Sequence, residues 1–193
     1  MVLHPESTSA IHDRYILSLL ESLSLLDRNS DSCVSHVRLS YRLKLQRVLL
    51  ESSQYDAEKL HQIIPSYLVE EKALILGALG EHSKVLDIYV FELKSIEHAE
   101  KYCDRIYNTA NDHSTKRDIY ITLLEVIMAS NNGIDSVHLA VQLAQRHANK
   151  IEVTQFLRLL SPELPMTATR KFFAVMSEKE SHKRKLLKVA IIT

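Results

Sequence analysis

Glycine is scarce in this sequence: only Gly77, Gly80 and Gly133 occur among 193 residues. Average usage is roughly 7%, so the chain lacks most of the residues that form tight turns. Two-residue β-hairpins need residues with positive φ, and phosphate-binding loops and dinucleotide folds need clustered glycines. The scarcity of glycine therefore excludes collagen, hairpin-rich β structure and those nucleotide-binding motifs, and it favours helix.

Cysteine and long apolar runs are also scarce. The two cysteines, Cys33 and Cys103, are too few for a disulfide scaffold and are typical of a reducing compartment. The first residues lack the basic and then apolar order of a signal peptide, and no apolar run approaches the ~18 residues that cross a bilayer. From these absences we expect a soluble, intracellular protein.

Apolar residues recur at three- and four-residue spacing along the chain, which predicts about ten helices and no strand. The first helix is expected from Thr8 to Leu26, and Val37, Tyr41 and Leu45 are expected on the core side of the second. The segment Ile119–Ile127 is rich in β-branched residues, but its apolar spacing is helical.

Turn and capping residues mark the expected helix ends. Side chains that can cap a helix N-terminus precede four of the predicted helices: Asp56, Ser66, Ser95, and Ser114 or Thr115. Gly80 stands where a helix C-terminus needs positive φ, and Pro65 stops the helix before it. Val85–Lys94 is predicted as one uninterrupted helix.

The joints between the predicted helices are mostly two to four residues long, and short joints require antiparallel neighbours. We therefore predict an all-α fold, an α-solenoid of stacked antiparallel helix pairs of the tetratricopeptide or clathrin-repeat type, as a single region over 1–193. A globular helical bundle without repeats is the alternative.

The sequence offers little for covalent or metal chemistry. No two of its ten histidines lie three or four residues apart, and there is no C-x-x-C pair or G-x-S-x-G turn. Glu58 and His61 form one E-x-x-H pair, and Asp135 and His138 are the nearest second copy, but a di-iron bundle needs further carboxylates. We predict a protein that is not an enzyme and has no cofactor and no small-molecule substrate.

Two other candidates for chemistry have ordinary structural explanations. Cys103 lies on the apolar side of its helix, where cysteine usually acts as a small buried hydrophobe, and Cys33 has no base to pair with. Glu97, Glu100 and Asp104 align along one helix, and a solvated acidic face is the more common meaning of such a row than acid–base catalysis.

The formal net charge of zero hides two regions of opposite sign. Residues 51–104 contain 11 acidic and 5 basic residues, a balance of −6, and residues 170–188 contain 7 basic and 2 acidic residues, a balance of +5. Docking onto another subunit, docking onto acidic lipid and ordinary solvated faces are the competing interpretations. The predicted protein-binding residues lie in the basic C-terminal helix, 166–192: Arg170, Lys171, Lys183, Arg184, Lys185 and Lys188. The basic stretch lacks interleaved surface aromatics, so we predict no binding of nucleic acid.

Five segments, in order, resemble one protein family. They are YRLKLQRVLLESSQYD at 41–56, LVEEKALILGALG at 68–80, VLDIYVFELK at 85–94, AEKYC at 99–103 and FLRLLSPELP at 156–165. The pattern is similar to the C-terminal helical region of the vacuolar protein sorting-associated protein 39 family, including Vps3-like proteins and the TGF-beta receptor-associated protein. The likeness is strongest over 41–105, the best-matching repeat core.

This resemblance implies a structural role. Proteins of the family are subunits of the HOPS and CORVET tethering complexes, which hold late endosomes and vacuoles or lysosomes together before fusion. The implied function is a non-enzymatic scaffold that docks onto a core subunit of the complex, with the chain cytoplasmic and peripheral on the membrane. The alternative is a membrane or organelle contact module whose basic C-terminal helix binds anionic lipid or an organelle surface protein.

The sequence departs from the family pattern at both ends. The family's N-terminal half resembles a β-propeller that contacts a Rab GTPase, and no propeller precedes Met1; no RING with C-x-x-C pairs follows Thr193. We therefore expect an excised fragment or a shortened member, and the resemblance does not extend Rab binding to it.

Overall fold

The computed structural model describes the backbone of residues 5–27, 34–52, 55–129 and 134–159, together with Arg170, Ala174 and Ser177. Within these ranges the chain forms helices and no strand. The α-helices are α1 (Pro5–Asp27), α2 (Val34–Glu51), α3 (Ala57–Ile63), α4 (Val69–Ala78), α5 (His82–Asp87), α6 (Ile96–Thr109), α7 (His113–Ala129), α8 (Ile134–Arg146) and α9 (Val153–Leu159). A π-helical turn, Ile88–Glu92, follows α5 directly.

The chain divides into two compact units, Met1–Ile88 and Tyr89–Thr193. In the first unit α1 packs on α2, and α4 packs on α2, α3 and α5. In the second unit α7 packs on α6, α8 and α9. These packed helix pairs confirm the predicted fold class, an all-α solenoid, and α7 confirms the helical interpretation of Ile119–Ile127. The single region over 1–193 stays a prediction.

Leucine and isoleucine fill the core of the first unit. The buried cluster consists of Ile16, Leu19, Leu20, Leu23, Leu45, Leu49, Leu60, Leu68 and Ile75. The core of the second unit is more aromatic, because Tyr89, Tyr102, Tyr120 and Phe156 are all buried there. Removing such side chains from water is the main term that stabilises either unit.

A buried ion pair joins α2 to α4 inside the first unit. The side chain of Glu71 is fully buried, and both of its carboxylate oxygens accept hydrogen bonds from the Arg42 guanidinium at 2.9 Å. Gln46 donates to Glu71 at 2.9 Å and to Glu70 at 2.7 Å. Two parallel donor–acceptor contacts fix both distance and orientation, so the pair sets how α4 lies against α2.

Several predicted helix ends are confirmed. Asp56 caps α3 by accepting from the Lys59 amide, and Ser95 caps α6 by accepting from the His98 amide. Gly80 has φ +78°, as a helix C-terminus requires.

Other predicted boundaries are wrong. The N-cap of α4 is Leu68, which has no side-chain cap, and Ser66 lies outside it. The helix α7 begins at His113, because Asp112 accepts hydrogen bonds from the amides of Ser114 and Thr115. The hydrogen bond from the Ser114 hydroxyl, together with those two amides and the Thr115 hydroxyl, lowers the pKa of Asp112 to about 2.

The segment predicted as one helix, Val85–Lys94, is two different helices. The α-helical hydrogen bonding ends at Asp87, and the wider π-helical turn runs through Ile88–Glu92. Lys94 then adopts φ 49°, and the Ser95 amide donates to the Tyr89 carbonyl at 2.9 Å. π-Helical turns of this kind often mark functional surfaces.

Candidate interaction surfaces

The predicted basic C-terminal helix falls almost entirely on residues that the structure does not describe. Arg170 is helical and exposed, as are Ala174 and Ser177. Lys171, Lys183, Arg184, Lys185 and Lys188 lie outside the described residues. Their role in protein binding therefore stays a prediction.

Among the described residues no group of three or more histidine, cysteine or acidic side chains is placed to hold a metal ion. In the same part of the chain no helix combines the length and apolar composition needed to cross a membrane.

Cys103 is a buried core residue, as the sequence predicted. Its side chain is 0% exposed, and its thiol donates a weak hydrogen bond to the Ile119 carbonyl at 3.8 Å. Burial raises the pKa of the Cys103 thiol far above its usual value, with Asp104 and Glu100 adding to the rise. The thiolate is the reactive form, so this cysteine is inert in the folded chain.

We predict that Cys103 resists alkylation until the chain unfolds. In a Cys33→Ser variant, in which Cys103 is the single thiol, iodoacetamide at pH 8 should leave the native chain unmodified and label it fully in denaturant. Intact mass before and after denaturation measures the difference. Rapid labelling of the native variant would contradict the burial of this thiol.

The sequence pattern predicts that the acidic row on α6 is a solvated face. In the structure only part of this row is solvated. Glu97 is solvated and pairs with Lys101 at 2.6 Å on the same helix. The side chain of Glu100 is 15% exposed, and it binds Arg146 at 3.2 Å and His147 at 3.0 Å. Part of the acidic middle of the sequence is therefore occupied by ion pairs within the second unit.

Asp104, the last residue of this row, holds three elements together. It accepts hydrogen bonds from the Tyr120 hydroxyl on α7 and from the Lys150 ammonium in the turn after α8. Burial acts to raise the pKa of Asp104, but the contacts with Lys150 and Tyr120 outweigh it and lower the pKa. Burial, with the Asp104 contact, raises the pKa of Tyr120. The carboxylate of Asp104 is therefore ionised, and the phenol of Tyr120 is neutral. We call the group formed by Asp104, Tyr120 and Lys150 the polar seam.

Aromatic contacts complete the polar seam. The centre of the Tyr120 ring lies 4.6 Å from that of His147, with the two rings tilted by 32°, and 6.2 Å from that of Tyr107 in an edge-to-face contact. The ammonium of Lys150 lies 5.2 Å from the centre of the Tyr120 ring and 5.3 Å from that of Tyr107. These polar atoms hydrogen bond to one another, so the seam positions α7 and the turn after α8 against α6.

A basic cleft opens beside the polar seam, with a volume of about 470 Å³. Its lining residues are Tyr107, His113, Lys116, Arg117, Asn149, Lys150, Ile151 and Glu152. Neither Lys116 nor Arg117 has an ion-pair partner among the described residues. The cleft can therefore receive an acidic group. Sequence reasoning missed it because its two halves lie more than 30 residues apart.

A second groove, of about 400 Å³, adjoins the π-helical turn in the second unit. Its lining residues are Val90, Phe91, Lys94, Ile96, Ile127, Asp135, Ser136 and Leu139. Phe91 is 43% exposed there. The π-helical turn, which the sequence analysis did not predict, positions this ring.

Comparison with known proteins shows consistent similarity over most of the chain. The human "Vam6/Vps39-like protein" is 31% identical over 163 residues, 77% of this chain and 18% of that protein. The zebrafish "Transforming growth factor-beta receptor-associated protein 1 homolog" is 31% identical over 180 residues, 91% of this chain and 21% of that protein. The Arabidopsis thaliana "Vacuolar sorting protein 3" is 29% identical over 135 residues, 69% of this chain and 13% of that protein.

The chain therefore spans about a fifth or less of the length of these curated relatives. No family model matches the sequence. No solved structure matches it either.

Proposed function

Because this chain belongs to the family of the Vam6/Vps39-like and TGF-beta receptor-associated proteins, we propose that it is a non-enzymatic scaffold of an endolysosomal tethering complex. The observation that carries the proposal is about 30% identity to several vacuolar sorting proteins over most of the chain. The name of the Arabidopsis relative states a role in vacuolar sorting, which supports a trafficking role. The finer assignment, to a HOPS-like or CORVET-like complex, is our proposal.

The mechanism is surface complementarity. Packed helices form the framework of each unit, and ion pairs such as Arg42–Glu71 and Asp104–Lys150 fix neighbouring helices. Exposed side chains then select a core subunit of the complex. The chain is peripheral on the late endosome, lysosome or vacuole through that subunit, without inserting into the bilayer itself.

Two basic surfaces are the first candidates for docking. One is the basic C-terminal helix, whose charge balance of +5 comes from the sequence. The other is the basic cleft of the second unit, where Lys116 and Arg117 offer unpaired positive charge among the described residues. Charges of this kind steer association and select the partner more than they add affinity.

The proposal predicts capture of a tethering-complex core subunit and its loss on charge reversal. The triple change Arg170→Glu, Lys171→Glu and Lys183→Glu should weaken binding by at least about tenfold, as expected when several complementary charges become repulsive. A second variant, Lys116→Glu with Arg117→Glu, tests the cleft in the same way. Purified subunits are tested one by one by titration against the whole chain.

The matched control for the triple variant reverses three lysines that lie in exposed local ion pairs, Lys59, Lys84 and Lys101, and changes the net charge by the same amount as that variant. If no subunit binds the unaltered chain, the proposed function is wrong. If the control weakens binding as much as the test variants, net charge and not a surface is responsible. Pelleting with anionic vesicles, lost in the Arg170 triple variant, would favour the lipid-binding alternative.

A further inference from the structure

The helix α2 carries a second apolar face that the fold does not bury. Its core side contributes Leu45 and Leu49, which are at most 5% exposed. Leu39, Leu43 and Leu50 are 55%, 56% and 53% exposed. At 3.6 residues per turn these three leucines fall within an arc of about 40°, on one line along the helix. Exposed leucines aligned along one helix face are typical of a surface that binds another macromolecule.

The shape of this face fits a helix. A groove of about 290 Å³ runs along it, lined by His36, Leu39, Ser40, Leu43, Lys44 and Arg47. These positions form two successive sets with i, i+3, i+4, i+7 spacing, and Ser40 and Leu43 belong to both. Four residues at that spacing make the hole that receives one side chain of a facing helix in knobs-into-holes packing. Ser40 is small, so the centre of the groove stays open.

The charges around the groove are basic. Lys44 and Arg47 flank the leucines, and the single acidic residue of α2 is Glu51, which lies 3.9 Å from Arg47. Both side chains of that pair are more than 70% exposed, so the pair is weak. A second copy of α2 would bring like charges together. The complementary occupant is a helix with acidic residues beside its apolar row.

We infer that the outer face of α2 docks an amphipathic α-helix of a partner protein. That helix carries large aliphatic side chains at three- and four-residue spacing, which fill the two holes, and aspartate or glutamate on the flank that meets Lys44 and Arg47. The inference rests on the proposed function, since assembly with another subunit supplies the helix, but it does not depend on the basic C-terminal helix.

The test uses the whole chain and two labelled synthetic peptides of about four helical turns, with leucine at the a and d positions. One has glutamate at e and g, and the other has lysine there. Fluorescence anisotropy should show the glutamate peptide binding about tenfold more tightly than the lysine peptide. The variant Lys44→Glu with Arg47→Glu should reverse that preference. The variant Leu39→Ser with Leu43→Ser should lose at least about tenfold in affinity.

The matched control is Leu157→Ser, an exposed leucine of α9 in the other unit, which should bind like the unaltered chain. Equal binding of both peptides, no binding of either, or unchanged binding by the Leu39 and Leu43 variant would overturn the inference. If the unaltered chain dimerises and the Leu39 and Leu43 variant does not, the face belongs to a second copy of the chain. If the unaltered chain pellets with vesicles and this variant does not, the face binds lipid. If no tethering-complex subunit binds the chain, the proposed function fails but the peptide test still stands, because the peptides contain no subunit sequence.

Discussion

Replacing Arg42 with methionine should destabilise the first unit by about 3–5 kcal/mol. The substitution leaves the Glu71 carboxylate, whose side chain is fully buried, without its bidentate partner. Gln46 still donates one hydrogen bond to it, which is not enough to replace the guanidinium. An unpaired charge held away from water is among the most costly single defects that a fold can have.

Urea denaturation followed by circular dichroism measures this loss. The matched control is Glu70→Gln, because Glu70 contacts the same guanidinium at 3.4 Å but its side chain is 49% exposed. We expect that change to cost less than about 1 kcal/mol.

A double variant separates the burial of the charge from the loss of packing. Arg42→Met combined with Glu71→Leu removes both charges and keeps similar volume, so it should recover most of the lost stability. If Arg42→Met alone lies within about 1 kcal/mol of the unaltered chain, Glu71 is not held in the way the structure shows.

This pair also shows what the sequence could and could not predict. The apolar periodicity predicted that α2 and α4 are helices, and the glutamates of α4 belong to the segment that resembles the sorting family. Arg42 and Glu71 are 29 residues apart, however, and nothing local indicates that one charged residue of α4 is buried and the next exposed. Only the packing of α2 against α4 determines which of the two carboxylates, Glu70 or Glu71, is buried.

Periodicity predicted the core face of α2 only in part and missed the second apolar face. Leu45 is buried as expected, whereas Val37, which was expected on the same side, is 45% exposed. Leu39 and Leu43 were not assigned to any face. A helix with apolar residues on two sides has no single preferred orientation in the sequence, and the neighbouring helices choose which side becomes the core.

The interruption of the helix at Ile88–Glu92 is a different kind of failure. The residues Val85–Lys94 have helical spacing and no glycine or proline, so local rules predict an uninterrupted helix. In the structure Tyr89 is buried and its ring lies 5.9 Å from that of Tyr102 on α6. The widened turn places that ring in the core, a tertiary demand that the local sequence does not express.

Replacing Tyr120 with alanine should destabilise the second unit by about 3–5 kcal/mol, the range for removing a large buried aromatic side chain. The residue is 1% exposed, and its ring contacts His147 and Tyr107 while its hydroxyl contacts Asp104 and Lys150. Tyr120→Phe keeps the ring and removes only the hydroxyl. Because Asp104 and Lys150 still pair with each other, we expect that change to cost only about 1–3 kcal/mol.

Tyr15→Phe is the matched control for the loss of a phenolic hydroxyl, since Tyr15 is 46% exposed and should tolerate the change within about 0.5 kcal/mol. Equal stability of Tyr120→Ala and Tyr120→Phe would show that the contacts of the Tyr120 ring do not stabilise the second unit, contrary to this prediction. Equal stability of Tyr120→Phe and the unaltered chain would contradict the hydrogen bond to Asp104.

Hydrogen exchange of backbone amides measures how strongly the polar seam stabilises the turn beside the basic cleft. The amides of His147 and Lys150 donate to Leu143 and His147 carbonyls at 3.0 and 2.8 Å, in the turn that the polar seam holds. In Tyr120→Ala these amides should exchange faster than in Tyr120→Phe, because local opening becomes easier when the seam loses its central ring. Because Lys150 lines the basic cleft, Tyr120→Ala should also weaken the binding of an acidic partner to the cleft, although it changes no charge.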